Sequence, residues 1–106
     1  MAVISDEIRK ELDDYIKELS IELKRFKIYL YGSYAYGEPT KDSDIDIMIF
    51  SNDFENDNPI EIELFLRKKA RKYKNYFEPI GYKYYDNTIG LQYNAVTNGI
   101  LLYSTD

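Results

Sequence analysis

The chain has 106 residues, a hydrophobic fraction of 44% and a formal charge of −5. That length suits one domain with one buried core, and the apolar fraction argues against disorder. Cysteine and histidine are both absent, which excludes disulfides, thiolate or imidazole catalysis and sulfur- or imidazole-based metal sites. A general base must then be a carboxylate, Lys or Tyr. A metal site must be oxygen-only, which favours Mg²⁺, Mn²⁺ or Ca²⁺. The acidic balance opposes binding nucleic acid through a broad basic face, but a nucleotide neutralised by a metal is compatible with it. No apolar run is long enough to span a bilayer and no signal-peptide pattern opens the chain, so the default expectation is a soluble, cytoplasmic protein.

Ser5 is a helix cap followed by Asp6 and Glu7, acids that suit a first turn. Ile4, Ile8, Leu12, Ile16, Leu19 and Leu23 recur at spacings of three and four, which predicts an amphipathic helix ending near Lys24 and Arg25. Phe26, Ile28 and Leu30 alternate with Lys27, Tyr29 and Tyr31 as a strand. Gly32-Ser33 ends it, a short helical turn through Tyr34–Tyr36 follows, and Glu38-Pro39-Thr40-Lys41 reads as a loop. A second strand runs from Asp44 to Phe50, with Ile45, Ile47 and Ile49 on one face. Asp44 and Asp46 share the other face with Met48 and Phe50.

The segment 51–58 is polar and acidic and reads as a loop without core residues. Pro59 occupies a first helical position. Ile62, Phe65, Leu66, Lys69, Tyr73, Tyr76 and Phe77 mark one face of the helix it opens. Its basic residues Arg67, Lys68, Arg71, Lys72 and Lys74 come late, where matching to the helix dipole explains them better than nucleic-acid binding does. Tyr76 to Ile80 reads as a third strand carrying Glu78, with Pro79 restricting it to an edge or a strand end. Tyr82, Tyr84 and Tyr85, among twelve tyrosines, fall in an expected loop where a protein interface is one reading, but most of the tyrosines are better read as half-buried strand and helix residues. A last helix spans Thr88–Thr97 with Leu91 and Ala95 inward, stopped by Asn98-Gly99. Ile100–Tyr103 reads as a final short strand. Neither repeats nor a second domain emerge, so residues 1–106 are read as a single domain.

Two motif readings fail. Gly32 and Gly37 have P-loop spacing, but Glu38-Pro39 stands where Lys-Ser/Thr is needed. Asp42, Asp44 and Asp46 mimic the start of an EF-hand, but Ile47 replaces its turning glycine and Asp53 its bidentate Glu. The pair Asp44/Asp46 does better. Side chains two apart on a strand point the same way, roughly 6–7 Å apart at the backbone. Their repulsion is on the order of 2–3 kcal/mol at an effective dielectric near 20, and well under 1 kcal/mol in bulk water. A solvated strand end tolerates that cheaply, whereas a cleft calls for a cation such as Mg²⁺, so spacing alone leaves both readings open. Gly32-Ser33 shifts the balance, because glycine admits a ligand close to the backbone and the free amides beyond it attract anions.

Gly32-Ser33, ten intervening residues and Asp44-Ile45-Asp46 together resemble the signature of the DNA polymerase β-like nucleotidyltransferase superfamily. The fuller string, Gly-Ser-Tyr-Ala-Tyr-Gly-Glu-Pro-Thr-Lys-Asp-Ser-Asp-Ile-Asp-Ile, resembles its smallest branch, the minimal nucleotidyltransferase (MNT) domains, which include MntA-type antitoxins. The resemblance implies an α/β (α+β) nucleotidyltransferase fold, palm-like, with a small mixed β-sheet flanked by helices. It places Gly32 and Ser33 on the triphosphate of ATP and Asp44 and Asp46 on Mg²⁺. The family's third carboxylate falls on Glu78 by order, as a third metal ligand and base, with Asp86 as the fallback. Tyr36 stands where many relatives carry arginine. The implied reaction moves AMP onto an acceptor hydroxyl, and an acceptor domain has no room in 106 residues. The partner implied is a HEPN-domain toxin, its tyrosine modified and its RNase activity silenced. The rival reading is a non-catalytic antitoxin that neutralises its partner by occlusion.

Overall fold

The computed structural model describes residues 4–37, 44–75 and 77–106. Helix α1 (Asp6–Glu22) is capped by Ser5, whose hydroxyl accepts the Ile8 amide at 3.2 Å. Its stripe of Leu12, Tyr15, Ile16 and Leu19 is buried. The helix ends at Glu22 with Leu23 as its C-cap, near the expected Lys24 and Arg25. Leu23 takes extended backbone, and the amides of Lys24 and Arg25 donate instead to the Asp53 carboxylate at 2.9 and 3.4 Å.

Strand β1 (Phe26–Tyr31) leads into the one-turn helix α2 (Ser33–Tyr36), and strand β2 (Ile45–Ser51) follows the undescribed segment 38–43. Helix α3 (Pro59–Ala70), strand β3 (Phe77–Lys83), helix α4 (Gly90–Asn98) and strand β4 (Ile100–Ser104) complete the order. The sheet runs β3-β2-β1-β4. β1 pairs antiparallel with β2 and β4, while β2 and β3 are parallel. A parallel pair needs a crossover, and α3 supplies it. β3 is an edge, as Pro79 requires, since proline has no amide to give a second neighbour.

The alternation read from β2 sorts the two faces of the sheet. Ile45, Ile47 and Ile49 join Phe26, Ile28 and Leu30 in the main core, packed with Leu12, Leu19, Ile62 and Leu66 from α1 and α3. Met48 and Phe50 lie on the other face with Tyr29, Tyr31, Ile80 and Tyr82, partly covered by Ala95 and Val96 of α4.

The segment 51–58 is not free of core residues. Ser51 is fully buried, its hydroxyl 2.8 Å from the Arg25 carbonyl and 2.9 Å from the Asp53 carboxylate. Phe54, in a 3-10 turn over Asn52–Phe54, is 2% exposed. A lone aromatic among polar residues carries no period, so nothing in the sequence marked it. The apolar face expected to run on through Tyr73 and Phe77 is broken after Ala70. Tyr73 falls in the turn and Phe77 opens β3, while the Glu11 carboxylate accepts the amides of Lys74 and Asn75 at 2.7 and 3.1 Å. Tyr76 is outside the described residues.

Arg67 and Lys68 lie in the last turn of α3, as dipole matching expects, and other basic residues there make ion pairs besides. Lys69 pairs with Glu22, Lys72 with Glu18, and Lys74 with Glu7 at 3.4 Å, so they fasten this region to α1. Of the tyrosine cluster, Tyr84 and Tyr85 fall in the turn after β3 as expected, and Tyr82 does not. Tyr82 lies in β3, and Tyr84 is buried under the Arg25 guanidinium, 4.0 Å from its ring centroid. Tyr85 alone of the three is largely exposed. In α4 Ala95 points inward, but Leu91 is exposed because the helix starts at Gly90 and docks through its later turn.

At Gly81 of β3, side chains of α3 and of the 3-10 turn lie close against the strand. A Cβ there would collide with Ile62, and would stand 2.8 Å from Leu66 and 3.0 Å from Phe54. Gly81→Val should therefore lower stability by about 2–3 kcal/mol through overpacking, read from urea denaturation. Phe54→Ala should cost about 3–5 kcal/mol in the same assay, as expected of a core aromatic and not of a loop residue.

Candidate active site

The site is made where three strands meet at one end of the sheet. β1 ends there, and β2 and β3 both begin there. Tyr31, Asp46 and Glu78 are cross-strand neighbours in that order, Tyr31 opposite Asp46 and Asp46 opposite Glu78. Residues 32 positions apart are thus side by side because β2 and β3 are parallel and in this register.

Gly32 turns the chain from β1 into α2 with φ of 74°, a conformation in which a Cβ is strained. A Cβ at this position would also strike the Asp46 carboxylate, with Cγ only 3.2 Å away. The carboxylate occupies the space that the missing side chain leaves. The following turn is closed by the Ala35 amide on the Gly32 carbonyl and the Gly37 amide on the Ser33 carbonyl, both at 3.0 Å. The first amides of any helix lack an intrahelical partner, so α2 presents donors beside Ser33. The Gly-Ser turn and the aspartates, each a weak signal alone, are physically joined at Gly32 and Asp46.

Asp46 is half-buried, and its pKa is raised from the ordinary carboxylate value. Burial is the main cause, and the negative charges of Asp44 and Glu78 add to it. Asp44 is exposed just ahead of β2. Glu78 is half-buried, and its carboxylate lies 3.7 Å from the Arg67 guanidinium, which also holds Glu63 at 3.0 Å. Asp86 stands beyond the end of β3, in a turn where its amide donates to the Lys83 carbonyl; Glu78, not Asp86, is the acid beside Asp46. The side chain of Tyr36, and Asp42 with its loop, lie outside what is described.

Arg67 and Glu63 were not singled out from the sequence as members of this neighbourhood. Their spacing of four on a helix was a legible pairing signal, but nothing local connects it to Glu78.

The donor set suits a hard divalent cation, being carboxylates alone around a crowded half-buried charge. Asp44 and Asp46 are the pair that fits one. Among the described residues no three acidic side chains are gathered closely enough to hold a cation between them. Glu78 has the backbone register, while its carboxylate is turned to Arg67.

A glycine-serine turn thus faces strand-borne carboxylates on a mixed sheet. The chain belongs to the polymerase β-type nucleotidyltransferase family: residues 7–106 match the model described as "Polymerase beta, Nucleotidyltransferase". No curated protein and no solved structure matches the chain. The family membership covers nearly the whole chain and assigns it a nucleotidyltransferase-type activity.

The raised Asp46 pKa has a consequence for stability without metal. The folded state binds this proton more tightly than the unfolded chain does, so stability falls as pH rises from the ordinary Asp value through the elevated one. In EDTA at pH 7, Asp46→Asn should raise the thermal midpoint. The gain should vanish below about pH 4, where the wild-type carboxyl is protonated in both states. Thermal melts across that pH range measure it.

Proposed function

We propose that this protein is a Mg²⁺-dependent nucleotidyltransferase that moves AMP from ATP to a hydroxyl of a protein partner. The observation that carries the reading is the contact between Gly32 and Asp46, which sets a phosphate-binding turn against a cation-binding carboxylate. Ser33 and the amides that open α2 bind the β- and γ-phosphates and orient the nucleotide. Asp44 and Asp46 would hold the cation. Mg²⁺, when bound, supplies charge neutralisation for the phosphoryl oxygens and the departing pyrophosphate. Glu78 takes the proton of the attacking hydroxyl, and contributes a third oxygen ligand once its carboxylate leaves Arg67.

The dense likeness of residues 32–47 to minimal nucleotidyltransferase domains supports an antitoxin role. In that role the acceptor is a tyrosine of a cognate HEPN-domain toxin, and adenylylation silences the toxin's RNase activity.

The test uses labelled ATP, Mg²⁺ and the protein encoded by the adjacent gene. Label should pass to that protein, and Asp44→Asn/Asp46→Asn should reduce transfer on the order of a hundredfold or more. Neutralisation retained by that variant, with no transfer by the wild type, would establish occlusion in place of catalysis.

A further inference from the structure

The ion pairs to α1 leave part of the positive charge at the end of α3 unmatched. Arg67, Arg71 and Lys74 follow one another at spacings of four and three, along the last turn of α3 and the turn beyond it. Like charges one helical turn apart repel. Lys74 has Glu7 at 3.4 Å, and Arg67 has Glu63 at 3.0 Å and Glu78 at 3.7 Å. Arg71, which caps the helix, has no ion-pair partner among the described residues.

These three cations border one pocket of about 200 Å³, whose other walls are Ala70, Tyr73 and Phe77. Among the described residues no acid lines it, in a chain whose net charge is −5. The walls are held in place by the fold itself. The Tyr73 hydroxyl donates to Glu18, its ring lies 5.6 Å from that of Phe77, and the Glu11 carboxylate accepts the Lys74 amide at 2.7 Å. Apolar walls beside the cations lower the local dielectric and strengthen their attraction for an anion. The volume lies below the usual range for small-molecule pockets, about 300–1,000 Å³, which suits a compact group better than a whole nucleotide. Forked arginine donors match phosphate oxygens in particular.

We propose that this pocket binds a small phosphate dianion, at a site separate from the Gly32-Ser33 turn. Arg67 borders a second cleft as well, one lined also by Glu63 and Glu78. A dianion between Arg71 and Lys74 draws Arg67 toward it and away from Glu78, the more distant of its two acids. Glu78 then loses its counter-charge beside Asp46, and the carboxylates attract a divalent cation more strongly. By linkage, the cation strengthens phosphate binding by the same factor. The phosphate site stands on the pocket alone, whereas its coupling to the cation rests on the nucleotidyl-transfer reading of Asp44, Asp46 and Glu78.

The probe is inorganic phosphate, titrated into ¹⁵N-labelled protein in EDTA. It should bind with a dissociation constant on the order of 1 mM and shift the amides of Arg67, Ala70, Arg71, Tyr73 and Lys74. Arg71→Gln and Lys74→Gln, each checked for folding by its thermal melt, should weaken binding at least tenfold, the loss of one charge-assisted contact. Equal shifts from chloride at matched ionic strength, shifts confined to residues 32–35, or full affinity in either folded variant would overturn the site. Tighter binding of a short single-stranded RNA, lost in the same variants, would replace it with a nucleic-acid face. Mg²⁺ is then titrated with and without phosphate, at equal free Mg²⁺. Its affinity should rise about fivefold with phosphate bound. Arg67→Gln should raise Mg²⁺ affinity without phosphate and remove the difference. An unchanged Mg²⁺ affinity with phosphate bound overturns the coupling; no Mg²⁺ binding in either condition, with phosphate binding intact, overturns the cation reading and leaves the phosphate site standing.

Discussion

The site depends on one steric fact: Gly32 has no side chain, and the Asp46 carboxylate fills the space that one would take. Without that vacancy the turn after β1 and the Asp46 carboxylate would be pushed apart, because the positive φ and the contact both exclude a Cβ. The burial of Asp46 follows from the same closeness. A carboxylate pressed against backbone, with Asp44 and Glu78 nearby, is held at a cost in its metal-free, charged state. A divalent cation relieves that cost, so the crowding that strains the apo site favours the occupied one.

Everything else in the domain keeps three strand ends level. The isoleucines of β2 are fixed on one face by α1 and α3, so its acids are fixed on the other. Gly81 lets α3 lie close against β3, and Glu11, Glu18 and Glu22 tie α1 to the end of α3 and the turn beyond it. These surface pairs contribute little energy each. Their effect is alignment, because the crossover through α3 sets the parallel register that brings Glu78 beside Asp46.

Much of the fold was legible in the residues. The period of α1, the alternation of β1 and β2, the proline that opens α3 and the edge role of Pro79 all act locally, and local patterns survive in a sequence. The misreadings share a cause. Phe54 is buried by elements distant in sequence, the helical face assigned to Tyr73 and Phe77 is cut by a turn that Glu11 holds, and Tyr84 is covered by Arg25. Each outcome is set by a long-range partner, which periodicity does not report.

The sequence by itself determined the ingredients of the site: an oxygen-only donor set, a glycine-serine turn after a strand, and two acids sharing a strand face. Those follow from residue chemistry and from the two-residue repeat of a strand. Only the tertiary structure decided that Asp46 leans on Gly32, that Glu78 rather than Asp86 stands next to it, and that the Glu78 carboxylate is turned to Arg67. The physical reason is register. Which residues face each other across paired strands is set by how helices pack on the whole sheet, and no stretch of the chain carries that information alone.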